Sequence, residues 1–146
     1  MNTKAFGVKL ENQVYIRREG VYGISFSDDN KVALVKVPYG YFLPGGGIED
    51  DEDHESCLKR EFMEEIGQAI KLIRFVGCLS QYTFSHKTKR YIELVGYFYI
   101  VEIKGSVGGK VEDDHELEWR DIKDVPQIMN LEYQAHIIIE AYDEFG

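Results

Sequence analysis

One segment, residues 45–67, constrains the fold of this chain more than any other. It opens with Gly45-Gly46-Gly47, and consecutive glycines permit a tight turn and close approach of the backbone to other groups. Asp53 can then accept hydrogen bonds from the free amides of a first helical turn. Apolar residues recur every four positions after it, as on the buried face of a helix: Leu58, Phe62 and Ile66. Gly67 follows, where a left-handed helix end is expected, so a helix is predicted over residues 53–66.

The same segment carries three carboxylates that a helix would place on one face. Glu61, Glu64 and Glu65 stand at positions i, i+3 and i+4, which are neighbours on a helical surface. Like charges at this spacing destabilise a helix by a few tenths of a kcal/mol per pair. A bound hard cation reverses the sign of that interaction, because Mg²⁺ and Mn²⁺ take carboxylate oxygens. The sequence therefore indicates a cation site on this face.

Charge and composition limit the classes of partner. The chain has 146 residues, of which 44% are hydrophobic, and a formal net charge of −9. That size fits a single globular domain with a core of its own. The negative charge disfavours binding to duplex nucleic acid or to anionic membranes. A small polyphosphate ligand remains compatible with it, because a divalent metal supplies positive charge locally.

Two cysteines, Cys57 and Cys78, occur without the spacing of a zinc site or of a disulfide framework. Both are expected as buried thiols in a reducing compartment. Residues 1–10 lack the apolar core of a signal peptide, and no apolar run approaches the roughly 20 residues of a membrane span. We therefore expect a cytoplasmic protein with no membrane partner.

The rest of the chain is rich in strand-like runs. Residues 1–12 show no pattern and are expected as an irregular lead-in. The next runs predict a hairpin turned at Asp28-Asp29-Asn30, whose second strand, residues 31–37, is apolar enough to be buried on both faces. Residues 70–84 and 90–103 predict a long antiparallel hairpin, bent at Gly77.

Three further elements complete the prediction. Residues 105–114 are expected to form a flexible loop, glycine-rich and then acidic. Residues 116–121 predict a short strand whose Trp119 anchors the core. Residues 134–145 predict a helix with an apolar face. The chain is thus expected to be an α/β protein in which one mixed sheet is covered by helices.

The spacing within residues 46–67 resembles the Nudix box. Gly46 is followed after five residues by Glu52, and after seven more by Arg60-Glu61-Phe62-Met63-Glu64-Glu65-Ile66-Gly67. All seven fixed polar and glycine positions of that box are met, and Phe62 fills its bulky apolar slot. The final slot, usually aliphatic, is Gln68 here, which we expect to affect packing past the helix and not metal binding. The resemblance implies the Nudix α/β/α sandwich, a mixed β-sheet flanked by helices, as a single Nudix hydrolase domain over residues 1–146.

The resemblance also implies roles for individual residues. It makes Glu64 and Glu65 the principal ligands of Mg²⁺ or Mn²⁺, assisted by Glu61 and by the Gly45 carbonyl. Arg60 would pair with Glu52 or a neighbouring carboxylate and hold helix and loop in register.

In the Nudix family a distal acidic loop often supplies a further ligand or the general base. The acidic run at residues 112–118 offers several candidates, of which we favour Glu112 as a ligand and Glu116 as the base. A solvated acidic loop without such a role is the alternative for each of them.

The resemblance implies hydrolysis of a phosphoanhydride bond in a nucleoside diphosphate linked to another group. Markers of several subfamilies are absent: residues 83–85, where ADP-ribose hydrolases tend to carry a proline, read Thr-Phe-Ser. Tyr82 stands slightly early for the tyrosine of dinucleoside polyphosphate hydrolases. With those markers absent, the resemblance leans to a MutT-like (deoxy)nucleoside triphosphate pyrophosphatase. A dinucleoside polyphosphate hydrolase, a non-catalytic nucleotide-binding module and a homodimer remain open.

The other candidate residues are expected to have structural roles. A basic cluster at residues 86–90 could meet phosphates, but a solvated hairpin tip is favoured. His54 is expected as an exposed first-turn residue. Several aromatic residues could stack on a base but are expected mostly in the core or on strand surfaces: Tyr22, Tyr39, Tyr41, Phe42, Tyr82 and Phe84.

Overall fold

The structure is a computed structural model that describes residues 2–109 and 111–146. Within those ranges the chain forms eight strands and three α-helices. The strands are β1 (Asn2–Phe6), β2 (Tyr15–Ile24), β3 (Lys31–Val37), β4 (Gly40–Phe42), β5 (Gly45–Gly47), β6 (Gln68–Ser85), β7 (Arg90–Ser106) and β8 (Glu116–Asp121). The helices are α1 (His54–Ile66), α2 (Val125–Ile128), preceded by a 3₁₀ turn over Ile122–Asp124, and α3 (Glu132–Phe145).

The strands form two sheets. A five-stranded mixed sheet has the order β1-β6-β7-β2-β5, and a three-stranded antiparallel sheet has the order β4-β3-β8. In the larger sheet, β1 is parallel to β6 and β2 is parallel to β7, while β6–β7 and β2–β5 are antiparallel. The predicted class, a mixed β-sheet flanked by helices, is confirmed; the strands are divided between two sheets and do not form a single one.

Two apolar clusters lie on opposite faces of these strands and join the sheets to the helices. The cluster under α3 contains Ile24, Leu34 and Phe98. The cluster under α1 contains Val21, Val35 and Val101. Neighbouring strand residues point to opposite faces, so β2, β3 and β7 each contribute to both clusters. This two-sided core makes the α/β/α sandwich.

Several predicted elements are confirmed. The long hairpin forms from β6 and β7, and its register shifts between Phe75 and Gly77, where a bend was expected. The apolar strand β3 is central in its sheet. Helix α3 buries Ile137, Ile138 and Ala141, because these residues recur on one helical face.

Besides the single sheet, four expectations about strands and core residues are wrong. Within the predicted lead-in, whose Met1 lies outside the described residues, β1 pairs with β6. The strands of the predicted first hairpin diverge into different sheets, and only their tip pairs, through Phe26 and Val32. Trp119, on the edge strand β8 of the smaller sheet, is 37% exposed and does not anchor the core. Cys57 is buried as expected, but Cys78 is only half-buried; both are free thiols.

Candidate active site

Helix α1 carries the predicted carboxylates beside its buried stripe, where Glu61 and Glu65 are half-buried and Glu64 is exposed. Asp53 caps the helix by accepting a hydrogen bond from Ser56 N at 2.7 Å, and Gly67 ends it with φ of 63°. The stripe residues are buried, as predicted: Leu58, Phe62 and Ile66. The helix packs closely on β2 because Gly23 has no side chain; a Cβ there would lie 2.7 Å from the Phe62 ring.

The glycine-rich segment is the short edge strand β5, which pairs with β2. A Cβ on Gly46 would lie 2.5 Å from the carboxylate carbon of Glu61, so glycine is required for Glu61 to lie against the strand. Gly45 has φ of +145°, a region that favours glycine, and its N–H donates to Glu65 Oε1 at 2.8 Å. The glycines thus bring the strand into contact with both carboxylates.

Arg60 binds several carboxylates at once. Its Nε and Nη2 donate to the two oxygens of Glu52 at 2.7 and 2.9 Å, as predicted from the sequence. Its Nη1 donates to Glu61 and to Glu64, each at 2.9 Å. Nη2 also donates to Gly47 O at 3.1 Å. One guanidinium therefore links the loop, the glycine strand and the acidic face of α1.

The carboxylates differ in their electrostatic environment. Hydrogen bonds from Arg60 hold the pKa of Glu52 near 2, so Glu52 stays ionised as the partner of that arginine. Burial raises the pKa of Glu61 and raises the pKa of Glu65 to about 8. In Glu65 the neighbouring carboxylates Glu61 and Glu112 add to the effect of burial. A cation at this position would relieve that cost.

The acidic loop lies over the C-terminal half of α1. Glu112 N donates to Glu64 O at 2.8 Å, and Val107 N donates to Gly67 O at 3.0 Å. Lys110, inside the predicted loop, lies outside the described residues. These two backbone contacts bring the Glu112 side chain to the carboxylates of the helix.

Two groups of ligand atoms result, each with all its atoms within 4.8 Å of one another. One consists of Glu61, Glu64 and Glu112 and the other of Glu65, Glu112 and His115. Glu112, the favoured residue of the loop, belongs to both. Carboxylate oxygens at these separations fit a divalent cation, so the donor set present suits the metal that the Nudix box implies.

Not every predicted residue joins these groups. Glu116, the favoured base, belongs to neither group. It is exposed at the start of β8 and lines a neighbouring depression with Lys36 and His115. Gly45 lies against Glu65 through its N–H, while the ligand role of its carbonyl remains a prediction. His54 is packed and not exposed, since its Nδ1 lies 2.8 Å from Tyr99 Oη.

A cavity of about 240 Å³ opens beside the carboxylates. Its walls are mainly aromatic and aliphatic, and they include Tyr39, Phe42 and Leu43. Gly45, Glu65 and His115 line it as well, so it adjoins the proposed metal position directly. Gln134, 1% exposed, also lines it and accepts a hydrogen bond from Leu43 N at 2.8 Å.

Sequence reasoning missed two members of this region. His115 was not singled out within the acidic run, although a histidine among glutamates is itself a metal-binding signal. Gln134 lies in a predicted helix, and no local sequence feature indicates its position beside the cavity.

No helix among residues 2–109 and 111–146 combines the length and the apolar character that crossing a membrane requires.

Comparisons with known proteins identify relatives of this chain. The chain is 27% identical over 111 residues to diphosphoinositol polyphosphate phosphohydrolase 2 of Rattus norvegicus, covering 74% of this chain and 59% of that protein. It is 28% identical over 102 residues to the NAD-capped RNA hydrolase NudC of Pseudomonas syringae, covering 70% of this chain and 34% of that protein. The match thus spans about three fifths of the first relative and one third of the second.

The fold is also shared with solved structures. A MutT structure, from work on Aliivibrio salmonicida and Vibrio cholerae, superposes with a TM-score of 0.58 at 23% identity, covering 89% of this chain and all of that one. The family model described as NUDIX domain matches residues 16–142. The relatives named above are hydrolases, which agrees with the predicted enzyme class. By this match over most of its length, the chain belongs to the NUDIX family.

Proposed function

We propose that this chain hydrolyses a phosphoanhydride bond of a nucleotide in which a diphosphate is linked to another group, with Mg²⁺ as the metal and Mn²⁺ as a substitute. The first substrate class is a (deoxy)nucleoside triphosphate, cleaved as by a MutT-type pyrophosphatase. Membership in the NUDIX family supports the reaction. The position of the aromatic cavity supports the choice of a nucleotide.

The cavity supports a nucleotide as the substrate because it adjoins the carboxylates. A nucleobase is planar and largely apolar, and it stacks on aromatic side chains. Tyr39 and Phe42 lie in the cavity wall, and Glu65 lies in the same wall. A base held there would place its phosphates towards the acidic face of α1. The Gln134 amide, fixed by Leu43 N, offers a polar group at the edge of the base.

Each residue of the site would have a specific role. Glu61, Glu64, Glu65 and Glu112 would hold the metal, which when bound neutralises phosphate charge and lowers the pKa of water. Arg60 and Glu52 would keep the carboxylates in place, since their contacts are made within the protein. Glu116 and the Gly45 carbonyl stay in the proposal as base and as ligand.

The relatives suggest competing substrates. Two of them act, by name, on diphosphoinositol polyphosphates and on NAD-capped RNA. A polyphosphorylated inositol carries many negative charges and no base. Among the described residues that line the depressions beside the carboxylates, Lys36 is the only lysine or arginine. This charge distribution favours a nucleotide.

The basic cluster at the hairpin tip does not change that conclusion. Glu61 lies against Gly46, which pairs with Val21. Val21 in turn pairs with Tyr97 of β7. Tyr97 and Arg90 are seven residues apart on β7, which at about 3.3 Å per residue separates them by roughly 23 Å. The cluster is therefore a solvated hairpin tip remote from the carboxylates.

A substrate panel tests the proposal. The purified chain would be given nucleoside triphosphates, dinucleoside polyphosphates, NAD, ADP-ribose and a diphosphoinositol polyphosphate, each with Mg²⁺ or Mn²⁺. We expect metal-dependent release of pyrophosphate and a nucleoside monophosphate from triphosphates, with dinucleoside polyphosphates next. Turnover of the diphosphoinositol compound alone would contradict the assignment of the cavity. Metal-dependent nucleotide binding without turnover would instead indicate the non-catalytic alternative.

A further inference from the structure

His115 connects the acidic loop with the carboxylates of α1. Its Nδ1 lies 2.9 Å from Asp113 O. Its Nε2 lies 3.3 Å from Glu112 Oε2 and 4.0 Å from Glu65 Oε2. The ring is therefore fixed on one side by the loop backbone and faces two carboxylates on the other.

The backbone contact determines what Nε2 offers. A carbonyl oxygen can only accept, so Nδ1 carries the hydrogen in this hydrogen bond. In the neutral ring Nε2 then presents its lone pair towards Glu112 and Glu65. The Nε2 lone pair and the carboxylate oxygen of Glu112, 3.3 Å away, are then both acceptors, with no hydrogen between them to share. A histidine that ligates a metal typically has this arrangement, with its other nitrogen donating to a backbone carbonyl.

Glu65 is oriented in a matching way. Its Oε1 accepts from Gly45 N at 2.8 Å, which leaves Oε2 as the atom facing His115. Ligands lie about 2.0–2.2 Å from ions such as Mg²⁺ or Zn²⁺, so two ligands of one ion are at most roughly 4.4 Å apart. The distances of 3.3 and 4.0 Å from Nε2 satisfy that limit.

We propose that His115 Nε2 is a nitrogen ligand at the metal position formed with Glu65 and Glu112. This position would then favour Zn²⁺ or Co²⁺, and Mn²⁺ less strongly, over Mg²⁺, because imidazole suits the later transition metals whereas Mg²⁺ prefers oxygen ligands. The group formed by Glu61, Glu64 and Glu112 has oxygen donors only and suits Mg²⁺. The inference rests on the metal site of the proposed function. It adds that the two groups of ligand atoms differ in chemistry, since one includes a nitrogen ligand and the other has oxygen ligands only.

The competing arrangement is an ion pair. A doubly protonated His115 would donate to Glu112 and Glu65 with no metal bound to the ring. Both arrangements use the same contacts, so the ligation itself has to be measured. Pulsed electron paramagnetic resonance of bound Mn²⁺ does this, because a coordinated imidazole nitrogen couples to the electron spin.

The experiment uses the full chain loaded with Mn²⁺, the variant His115→Gln and the control His136→Gln. His136 pairs with Glu140 on α3 at 2.7 Å, and neither residue belongs to the carboxylate groups. We expect nitrogen coupling in the unaltered chain and in the control, and its loss in His115→Gln. Calorimetry should show Mn²⁺ affinity falling at least about tenfold in that variant, as loss of even an outer-shell partner costs 10–100-fold. Its Mg²⁺ affinity should change much less.

The possible failures are distinguishable. Bound Mn²⁺ without nitrogen coupling, or coupling that persists in His115→Gln, would overturn the inference while leaving Mg²⁺-dependent hydrolysis in place. No binding of Mn²⁺ or Mg²⁺ to the unaltered chain would overturn the metal site and the proposed function together.

Discussion

Arg60 binds Glu52 through two parallel hydrogen bonds, of 2.7 and 2.9 Å, across the loop that separates β5 from α1. Glu52 Oε1 also accepts from Glu49 N at 2.8 Å. The remaining nitrogen of Arg60 lies between Glu61 and Glu64. The pair therefore stabilises the loop and sets the position of the carboxylates proposed to bind metal.

Replacing Arg60 with lysine should distinguish the effect of the positive charge from the effect of the hydrogen-bonding geometry. Lysine keeps the positive charge but cannot make the two-pronged contact. We expect Arg60→Lys to lower the melting temperature by at least about 3 °C, the shift that 1 kcal/mol produces in a chain of this size. Activity should fall more than stability alone explains, because Glu61 and Glu64 lose their common partner. Thermal denaturation and kcat/KM measurements would test this, and unchanged values for both would contradict the role of Arg60.

Two neighbouring glycines provide a matched pair of substitutions. A Cβ on Gly46 would lie 2.5 Å from the Glu61 carboxylate, whereas on Gly47 the nearest heavy atom lies 4.0 Å away, at Glu19 O. Gly46→Ala should therefore displace Glu61 and reduce kcat by at least about tenfold, in line with loss of a group that orients a metal site. Gly47→Ala should leave kcat within about twofold. Equal effects of the two substitutions would show that the contact with Glu61 is unimportant.

The raised pKa of Glu65 predicts how the metal-free protein responds to pH. Its ordinary pKa of 4.5 rises to about 8 in the folded chain because of burial. The folded state then holds a proton that the unfolded state has lost, so the free energy of unfolding should fall as pH rises from about 4.5 to about 8. Glu65→Gln cannot titrate there, and its stability relative to the unaltered chain should increase over that range by up to a few kcal/mol.

Denaturant unfolding at pH 5 and pH 8, with a chelator present, measures this difference. Saturating Mg²⁺ should restore the stability of the unaltered chain at pH 8, because a ligand that binds only the folded state stabilises it. A difference between the two proteins that does not change with pH would contradict the account.

The cavity predicts a residue that affects substrate binding. Tyr39 is 74% exposed at the cavity mouth, so its loss should not disturb the core. We expect Tyr39→Ala to raise KM for a nucleoside triphosphate by about fivefold or more with little change in kcat, in line with the ~1–3 kcal/mol of a base–aromatic contact. Trp119→Ala is the control, an exposed aromatic residue that does not line the cavity. Identical KM values for the unaltered chain, Tyr39→Ala and Trp119→Ala would contradict the proposal that the base binds in this cavity.

The sequence predicted the parts of the site that depend on local spacing. Helix α1 is specified by Asp53, its apolar stripe and Gly67, all within 15 residues of one another. Strand β1 could not be found in this way, because its polar residues are ordered by pairing across a long separation, Asn2 with Gly77. The position of His115 likewise depends on the contact of Glu112 N with Glu64 O, which no periodicity indicates.

The most direct test of the central claim is Mg²⁺-dependent pyrophosphate release from nucleoside triphosphates by the unaltered chain and by Glu64→Gln, Glu65→Gln and the double variant. We expect each variant to lose at least about 100-fold in kcat, since loss of even an outer-shell partner of a metal costs 10–100-fold. Their circular dichroism spectra should stay unchanged, because glutamine has nearly the same shape and removes repulsion. Near-normal turnover by the double variant would contradict the assignment of these carboxylates as the site of hydrolysis.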